Sequence, residues 1–281
     1  MTSNPDLILV GLAAGLIGSL SGLGGGTLLT PVLTLIFHVP IEYAASTSLV
    51  ATIATSSSAA AAYIRDKITN INIGISLEIA TVAGAAIGSA SAIWIYAHHL
   101  HAWVFFLFGA MLLLSIIPSA FGLYKPVARP QIGDATTRFF QLEGSYFDDA
   151  LHRSVHYAGV RWWLAEAIML LAGIMSGLLG IGSGALKVIG MDWAMRLPIK
   201  VSTATSNFMI GVTAAAAIGS YFVAGYIRPE LITPTVLGVL AGSFIGTKIL
   251  NRLHGRIVRF IVLFLIGALA IEMIIRGYGT L

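Results

Sequence analysis

The chain has 281 residues, 57% hydrophobic and only 10% charged, with sixteen Lys and Arg against twelve Asp and Glu. Ordinary soluble domains carry about 25% charged residues, and apolar runs long enough to cross a bilayer recur here, roughly at 162–180, 201–224, 231–250 and 257–275. A soluble domain is excluded, nucleic-acid binding is not indicated by the net charge of +4, and the absence of cysteine rules out disulfides and thiolate metal sites.

The N-terminus lacks a basic region before its first apolar run, so that run is expected to be a retained helix, about 6–21, rather than a cleaved leader. It meets "GLGGG" at 22–26, a sequence that breaks helices and exposes backbone. A short apolar helix follows, about 27–38, ending at His38-Val39-Pro40; three longer helices are expected near 42–64, 73–97 and 102–123. At 1.5 Å per residue the short helix reaches about 18 Å, well short of a hydrocarbon core of about 30 Å. The segment 6–38 therefore reads as a hairpin whose glycine tip lies within the membrane. Segment 124–160 is polar, carries charges of both signs and reads as a connection.

The pattern then repeats in register at an offset of 158 residues. "GIGSG" at 180–184 echoes "GLGGG", Pro198-Ile199 echoes Pro40-Ile41, Thr205-Ser206 echoes Thr47-Ser48, and Tyr221 echoes Tyr63. The organisation is a first transmembrane repeat (1–123), a connecting loop (124–160) and a second repeat (161–281). If each hairpin returns to its own side and three helices cross, the halves are inverted relative to one another. Thirteen of the sixteen Lys and Arg then fall on one face, only Arg228 and Arg276 on the other, and Lys187 inside. A single crossing by 6–38 would split the charges nine against six. The positive-inside rule favours the former, with both termini non-cytoplasmic and 124–160 cytoplasmic. The fold class expected is all-α polytopic membrane protein with two inverted-topology repeats, each a re-entrant or broken hairpin plus three transmembrane helices, the plan of many secondary transporters.

Three groups of residues could carry the chemistry. A helix that starts inside the membrane points unpaired N–H groups at whatever lies before it, so Gly24, Gly25 and Gly26, with Gly182, Ser183 and Gly184 in the second half, would let an anion approach the backbone. The bland alternative is close helix packing, for which Gly11-x3-Gly15, Gly84-x3-Gly88 and Gly242-x3-Gly246 have the right spacing. Thr47-Ser48 and Thr205-Ser206-Asn207 form the second group; hydroxyls in membrane helices often bond only the carbonyl one turn back, but Asn207 needs a partner or a cavity. The third is Lys187, a charge on the second short helix, where it is either an anion ligand or a structural partner, Asp192 being the nearest acid in sequence. Glu78 and Glu166 fall near expected helix ends and read as interfacial. "GIGSGALK" lacks the Gly-Lys-Ser/Thr of a nucleotide loop, no histidine stands at depth beside Ser183, and His98, His99 and His101 sit in a turn without nearby carboxylates. No enzymatic activity, cofactor or metal is expected.

"GLGGGTLLTPVL", "AASTSLVAT", "SGLLGIGSGALKVIGMDWAMRLPIKVSTATSNFMIGVTAAA" and "GYIRPELITPTVLGVLAGSFIGTKIL" together resemble the sulfite exporter TauE/SafE family over nearly the whole chain, most strongly from Ser176 to Lys248. The resemblance implies a secondary active transporter moving sulfur-containing anions, sulfonates or sulfite, across the cytoplasmic membrane by alternating access. By matching position it implies Gly24–Gly26, Thr47-Ser48, Gly182, Gly184, Lys187 and Thr205–Asn207 as motif residues. Ser183 departs from the family pattern, which has glycine there. The partners expected are a small anionic solute, the lipid bilayer and a coupling ion, with proton and sodium both open, as is a homo-oligomer; no nucleic acid is expected. An anion-selective channel is the alternative within transport. A non-transporting assembly or sensor protein, reading partners through 124–160 and its aromatics Phe139, Phe140, Tyr146, Phe147 and Tyr157, is the alternative outside it.

Overall fold

The structure is a computed structural model that describes residues 4–21, 24–121, 133–148, 152–250 and 255–279. Gly22 and Leu23 of the glycine break lie outside the described residues, as do Lys125 and Arg129 of the connection. The first half holds α1 (Asn4–Ser21), α2 (Gly26–Leu35), α3 (Ile41–Arg65), α4 (Ile71–Ala97) and α5 (His101–Phe121). The second holds α7 (Trp162–Leu179), α8 (Gly184–Ile189) running into a π-turn (Gly190–Ala194), α9 (Ile199–Val223), α10 (Pro229–Leu250) and α11 (Gly255–Gly279). Between them lie α6 (Ala135–Phe140) and two antiparallel strands, β1 (Glu143–Asp148) and β2 (Arg153–Ala158), with Tyr146 opposite Val155. Apart from this hairpin, the chain is an all-α membrane protein.

Boundaries and turns follow the sequence offset. Shifted by 158, α1 falls on α7 and α3 on α9, residue for residue at both ends. Pro40 and Pro198 precede α3 and α9 with nearly the same extended backbone (φ −53°, ψ 140° and φ −58°, ψ 136°). Proline cannot donate to a preceding turn and its fixed φ suits a helix start, which is why both breaks fall there. Three further pairs at this offset share a positive φ: Gly24 with Gly182, His38 with Arg196, and Lys67 with Gly225.

Packing pairs the halves crosswise: α1 lies along α10, α4 along α7, α3 crosses α9 at the centre and α5 lies against α11. The small-x3-small glycines make the first two contacts close. A methyl group on Gly15 would sit 2.3 Å from the Val239 carbonyl oxygen, and one on Gly88 2.1 Å from that of Ile174. Backbones this near exclude any side chain, the packing role expected of such motifs in lipid.

Among the described residues, four helices are long and apolar enough to cross a membrane: Ile71–Ala97, Trp162–Leu179, Ile199–Val223 and Pro229–Gly246. Large apolar side chains such as Ile79, Phe222 and Phe264 are exposed, whereas Ser46, Thr47, Ser48, Thr52, Thr55 and Ser56 of α3 are buried. That reverses the soluble pattern. The hydroxyl-rich α3 turns its polar stripe inward against α9, so it sits at the centre.

α6 and the hairpin cover one end of this assembly. Leu142 joins Ile73, Leu77, Trp162, Met195 and Leu197 in one buried cluster. Asn70 is the node: its carboxamide oxygen caps α4 by accepting from the Ile73 N–H (3.1 Å), and its amide nitrogen donates to the Glu143 carbonyl (3.2 Å) and the Tyr157 hydroxyl (3.1 Å).

Candidate functional site

The two glycine turns meet at the centre. Gly24 (φ +82°) and Gly182 (φ +71°) both lie against the methyl groups of Thr52 and Ile210. Thr52 and Ile210 are themselves related by the 158-residue offset, so each half places a glycine and a side chain at one junction. After each turn a helix begins, and its first carbonyl is held by the same hydroxyl of the next long helix. Ser48 Oγ donates to the Gly26 carbonyl (3.0 Å), and Ser206 Oγ to that of Gly184 (3.2 Å). Gly26 must be glycine for this approach: a methyl there would fall 2.2 Å from Thr52 Oγ1 and 2.7 Å from Ser48 Oγ. Gly25 precedes α2 with helical backbone, and its carbonyl accepts from the Leu29 N–H (3.1 Å).

The remaining residues of the motifs are buried here too, but not all offer a free group. Thr47 Oγ1 donates one turn back, to the Tyr43 carbonyl (2.7 Å). Thr205 Oγ1 accepts from the backbone N–H of Asn70 (3.1 Å) and so ties α9 to the cap of α4. Ser183, in a left-handed conformation (φ 46°), donates its hydroxyl to the Ala172 carbonyl of α7. The Ser183 hydroxyl therefore fastens the turn to the preceding helix. Asn207 donates its amide to the Thr203 carbonyl (3.1 Å), while its buried Oδ1 has no hydrogen-bond partner among the described residues.

Lys187 is wholly buried. Asp192 is not the acid it faces. Its Nζ donates to Thr213 Oγ1, and Thr213 Oγ1 lies 2.6 Å from Glu78 Oε1. Glu78, expected to be interfacial, is 7% exposed, enclosed where α4 packs against α7 and α9. Glu166, on α7, is half-buried, and its Oε2 is shielded and unpartnered, as is Glu78 Oε2.

Sequence reasoning also missed Ser56 and Thr213. Ser56 Oγ stands between two backbone groups that an α-helix pairs with each other: it accepts from the Gly211 N–H (2.9 Å) and donates to the Asn207 carbonyl. A side chain inserted into the i→i−4 ladder loosens and bends a helix at that point. Nothing in the sequence separates Ser56 from its hydroxyl-bearing neighbours, since the signal is the α3–α9 crossing itself. The site thus offers one buried cation, a buried amide oxygen, two glycine-edged helix starts and a hydroxyl-linked carboxylate. None of the twelve candidate site residues is exposed.

A family model described as "Sulfite exporter TauE/SafE" matches residues 7–273. The chain is similar to the "Probable membrane transporter protein YunE" of Bacillus subtilis (strain 168), 28% identical over 96% of this chain and 97% of the relative. It is similar also to "Probable membrane transporter protein YdhB" of the same organism, 27% identical over 94% and 97%. An archaeal relative, "Probable membrane transporter protein MJ0441" of Methanocaldococcus jannaschii, is 25% identical over 96% and 95%. No solved structure matches the chain.

Proposed function

The chain belongs to the sulfite exporter TauE/SafE family of membrane transporters, and from that premise we propose that it is a secondary active transporter of small sulfur-containing anions, of the sulfonate or sulfite class, across the cytoplasmic membrane. The observation that carries this reading is Lys187: a buried cation one turn beyond Gly184, on the helix that starts at the junction of the two glycine turns. A charge at such depth is expensive and is retained where it has a ligand. The helix starts at Gly26 and Gly184 add partial positive charge. The unpartnered Asn207 Oδ1 would accept from a hydroxyl or amine on the solute.

Burial supports alternating access over an open channel. A permanent aqueous pore would leave its lining wet, whereas Thr47, Ser48, Lys187, Thr205 and Ser206 are fully buried. Access then requires one half to move against the other, and the crosswise pairing of α1 with α10 and α4 with α7 suits rocking between inverted halves. In this reading the termini are non-cytoplasmic and 124–160 is cytoplasmic, in keeping with the Lys and Arg distribution.

The test is counterflow in proteoliposomes loaded with unlabelled sulfite or an alkanesulfonate. Labelled anion should accumulate transiently, with saturation, and Lys187→Ala should abolish this while the variant remains folded. Linear, non-saturating flux would favour a channel. No flux of any anion would overturn the reading.

A further inference from the structure

We propose that Glu78 is a proton-binding group that competes with the transported anion for Lys187, so that each anion is bound together with one proton. This rests on the anion-transport reading above and adds the coupling ion and the residue that carries it.

A single hydroxyl links the two charges. Thr213 Oγ1 receives a hydrogen bond from Lys187 Nζ and has two acceptors within reach, Glu78 Oε1 at 2.6 Å and the Met209 carbonyl at 2.9 Å. A hydroxyl has one proton and can satisfy only one of them at a time. Two arrangements follow. With Glu78 ionised, Thr213 donates to Oε1, and Lys187, Thr213 and Glu78 form a hydroxyl-bridged ion pair that is closed to an incoming anion. With Glu78 protonated, the carboxyl O–H donates to Thr213, the Thr213 proton turns to the Met209 carbonyl, and Lys187 loses its countercharge.

A buried ammonium without a countercharge is unstable, so the second arrangement is the one that accepts an anion. The balance is simple: one proton attaches to a Glu78 carboxylate oxygen, one anion pairs with the Lys187 ammonium, and no covalent bond changes. For a monovalent anion the net charge of the site is the same before and after, so binding buries no additional net charge.

Two further observations favour this over a static ion pair. Glu78 Oε2 is buried with no hydrogen-bond partner among the described residues, so nothing holds negative charge on that oxygen and a proton on Oε1 breaks no contact there. The Lys187 ammonium, with three N–H donors, has Thr213 as its one hydrogen-bond partner among the described residues, leaving donors for a ligand. The groups that face Glu78 are few. On α4 itself there is the Thr81 hydroxyl, on α9 Thr213, on α8 the Lys187 ammonium, and on α7 the Glu166 carboxyl, whose charge repels that of Glu78. Protonation of Glu78 relieves that repulsion as well.

The decisive measurement is the number of protons taken up per anion bound by the purified wild-type protein. Calorimetric titrations with methanesulfonate and with 2-hydroxyethanesulfonate, both fully ionised between about pH 5 and pH 8, would be run in two buffers of different ionisation enthalpy. The expected result is one proton per anion and, on the alkaline side, an apparent Kd that rises about tenfold per pH unit. Glu78→Gln should bind with no proton uptake and a Kd independent of pH. Anion binding by the wild type without proton uptake, including binding that depends on sodium instead, would overturn the proposal and leave the transporter reading intact. Absence of both binding and counterflow for every anion would remove the transporter reading, and this proposal with it. If Glu78→Gln fails to fold, the wild-type count still tests the coupling, and Glu166→Gln tests the assignment: it should keep the count at one, and a count of zero there would overturn the role of Glu78.

Discussion

Gly24 and Gly182 lean on the same two methyl groups, those of Thr52 and Ile210, from the two halves of the chain. They do so with unequal tightness. A methyl on Gly24 would stand 3.4 Å from Ile210 Cγ2, an ordinary contact, whereas one on Gly182 would stand 2.6 Å from Ile210 Cγ2 and 2.9 Å from Thr52 Cγ2. Both substitutions strain a left-handed backbone, at about 1–2 kcal/mol. Only Gly182→Ala adds overpacking, about 1–3 kcal/mol more. Thermal unfolding in detergent should therefore rank wild type above Gly24→Ala and Gly24→Ala above Gly182→Ala. Equal losses would mean that the two turns are not packed on one junction as described.

The bridge from Lys187 to Glu78 predicts a non-additive pair. Lys187→Met leaves the Glu78 carboxylate buried without its cation, and removing one partner of a buried pair costs about 3–5 kcal/mol. Glu78→Gln strands the ammonium in the same way. The double variant strands neither, so it should be more stable than the sum of the two single losses implies. A double-mutant cycle by denaturation in mixed micelles reads the coupling directly; additive losses would show that the two charges do not interact.

Much of this architecture was legible because proline and glycine punctuate the chain twice in one register. The match of Pro40 with Pro198 and of Gly24–Gly26 with Gly182–Gly184 placed the helix starts to within a residue or two, and the structure puts α3 and α9 at the same offset. The small-x3-small glycines read correctly as packing surfaces. What failed was pairing across the repeats. Asp192 is close to Lys187 in sequence, but Glu78 reaches it from the other half because α4 packs beside α7 and α9. Glu78 read as interfacial because only distance to a helix end was counted, whereas α7, α8 and α9 enclose that part of α4. The directions of the Thr47, Ser183 and Thr205 hydroxyls depend on rotamers and neighbours, which no spacing rule specifies.

Ser56 offers a test of whether α9 is locally loosened by design. Ser56→Ala would leave the Gly211 N–H and the Asn207 carbonyl to pair with each other alone. The net cost of the lost hydrogen bonds should be small, about 0.5–1.5 kcal/mol, because the backbone groups find each other. Amide exchange at Gly211 should slow in the variant, and counterflow should fall if bending at this point accompanies access. Faster exchange at Gly211 would mean that the hydroxyl supports the helix there instead of interrupting it.

The polar connection makes a pH prediction. Burial raises the Asp134 carboxyl, but hydrogen bonds from the Thr136 hydroxyl, the Arg161 N–H and the N–H and hydroxyl of Thr137 outweigh this and hold it well below the usual carboxylate range. A group depressed in the folded state contributes stability that is present above its unfolded pKa, about 3.9, and is lost as pH falls through the lower folded value. Order in α6 should therefore be constant through mild acid and fail only below about pH 4. Asp134→Ala removes the capping box at every pH, at about 1 kcal/mol, and unties the Arg161 N–H at the start of α7. Amide exchange at Thr137 and Arg161, followed against pH, separates these effects: the wild type should lose protection only in strong acid, and the variant should lack it throughout. Loss of protection in the wild type near pH 6 would show that the Asp134 cap is not what orders this segment.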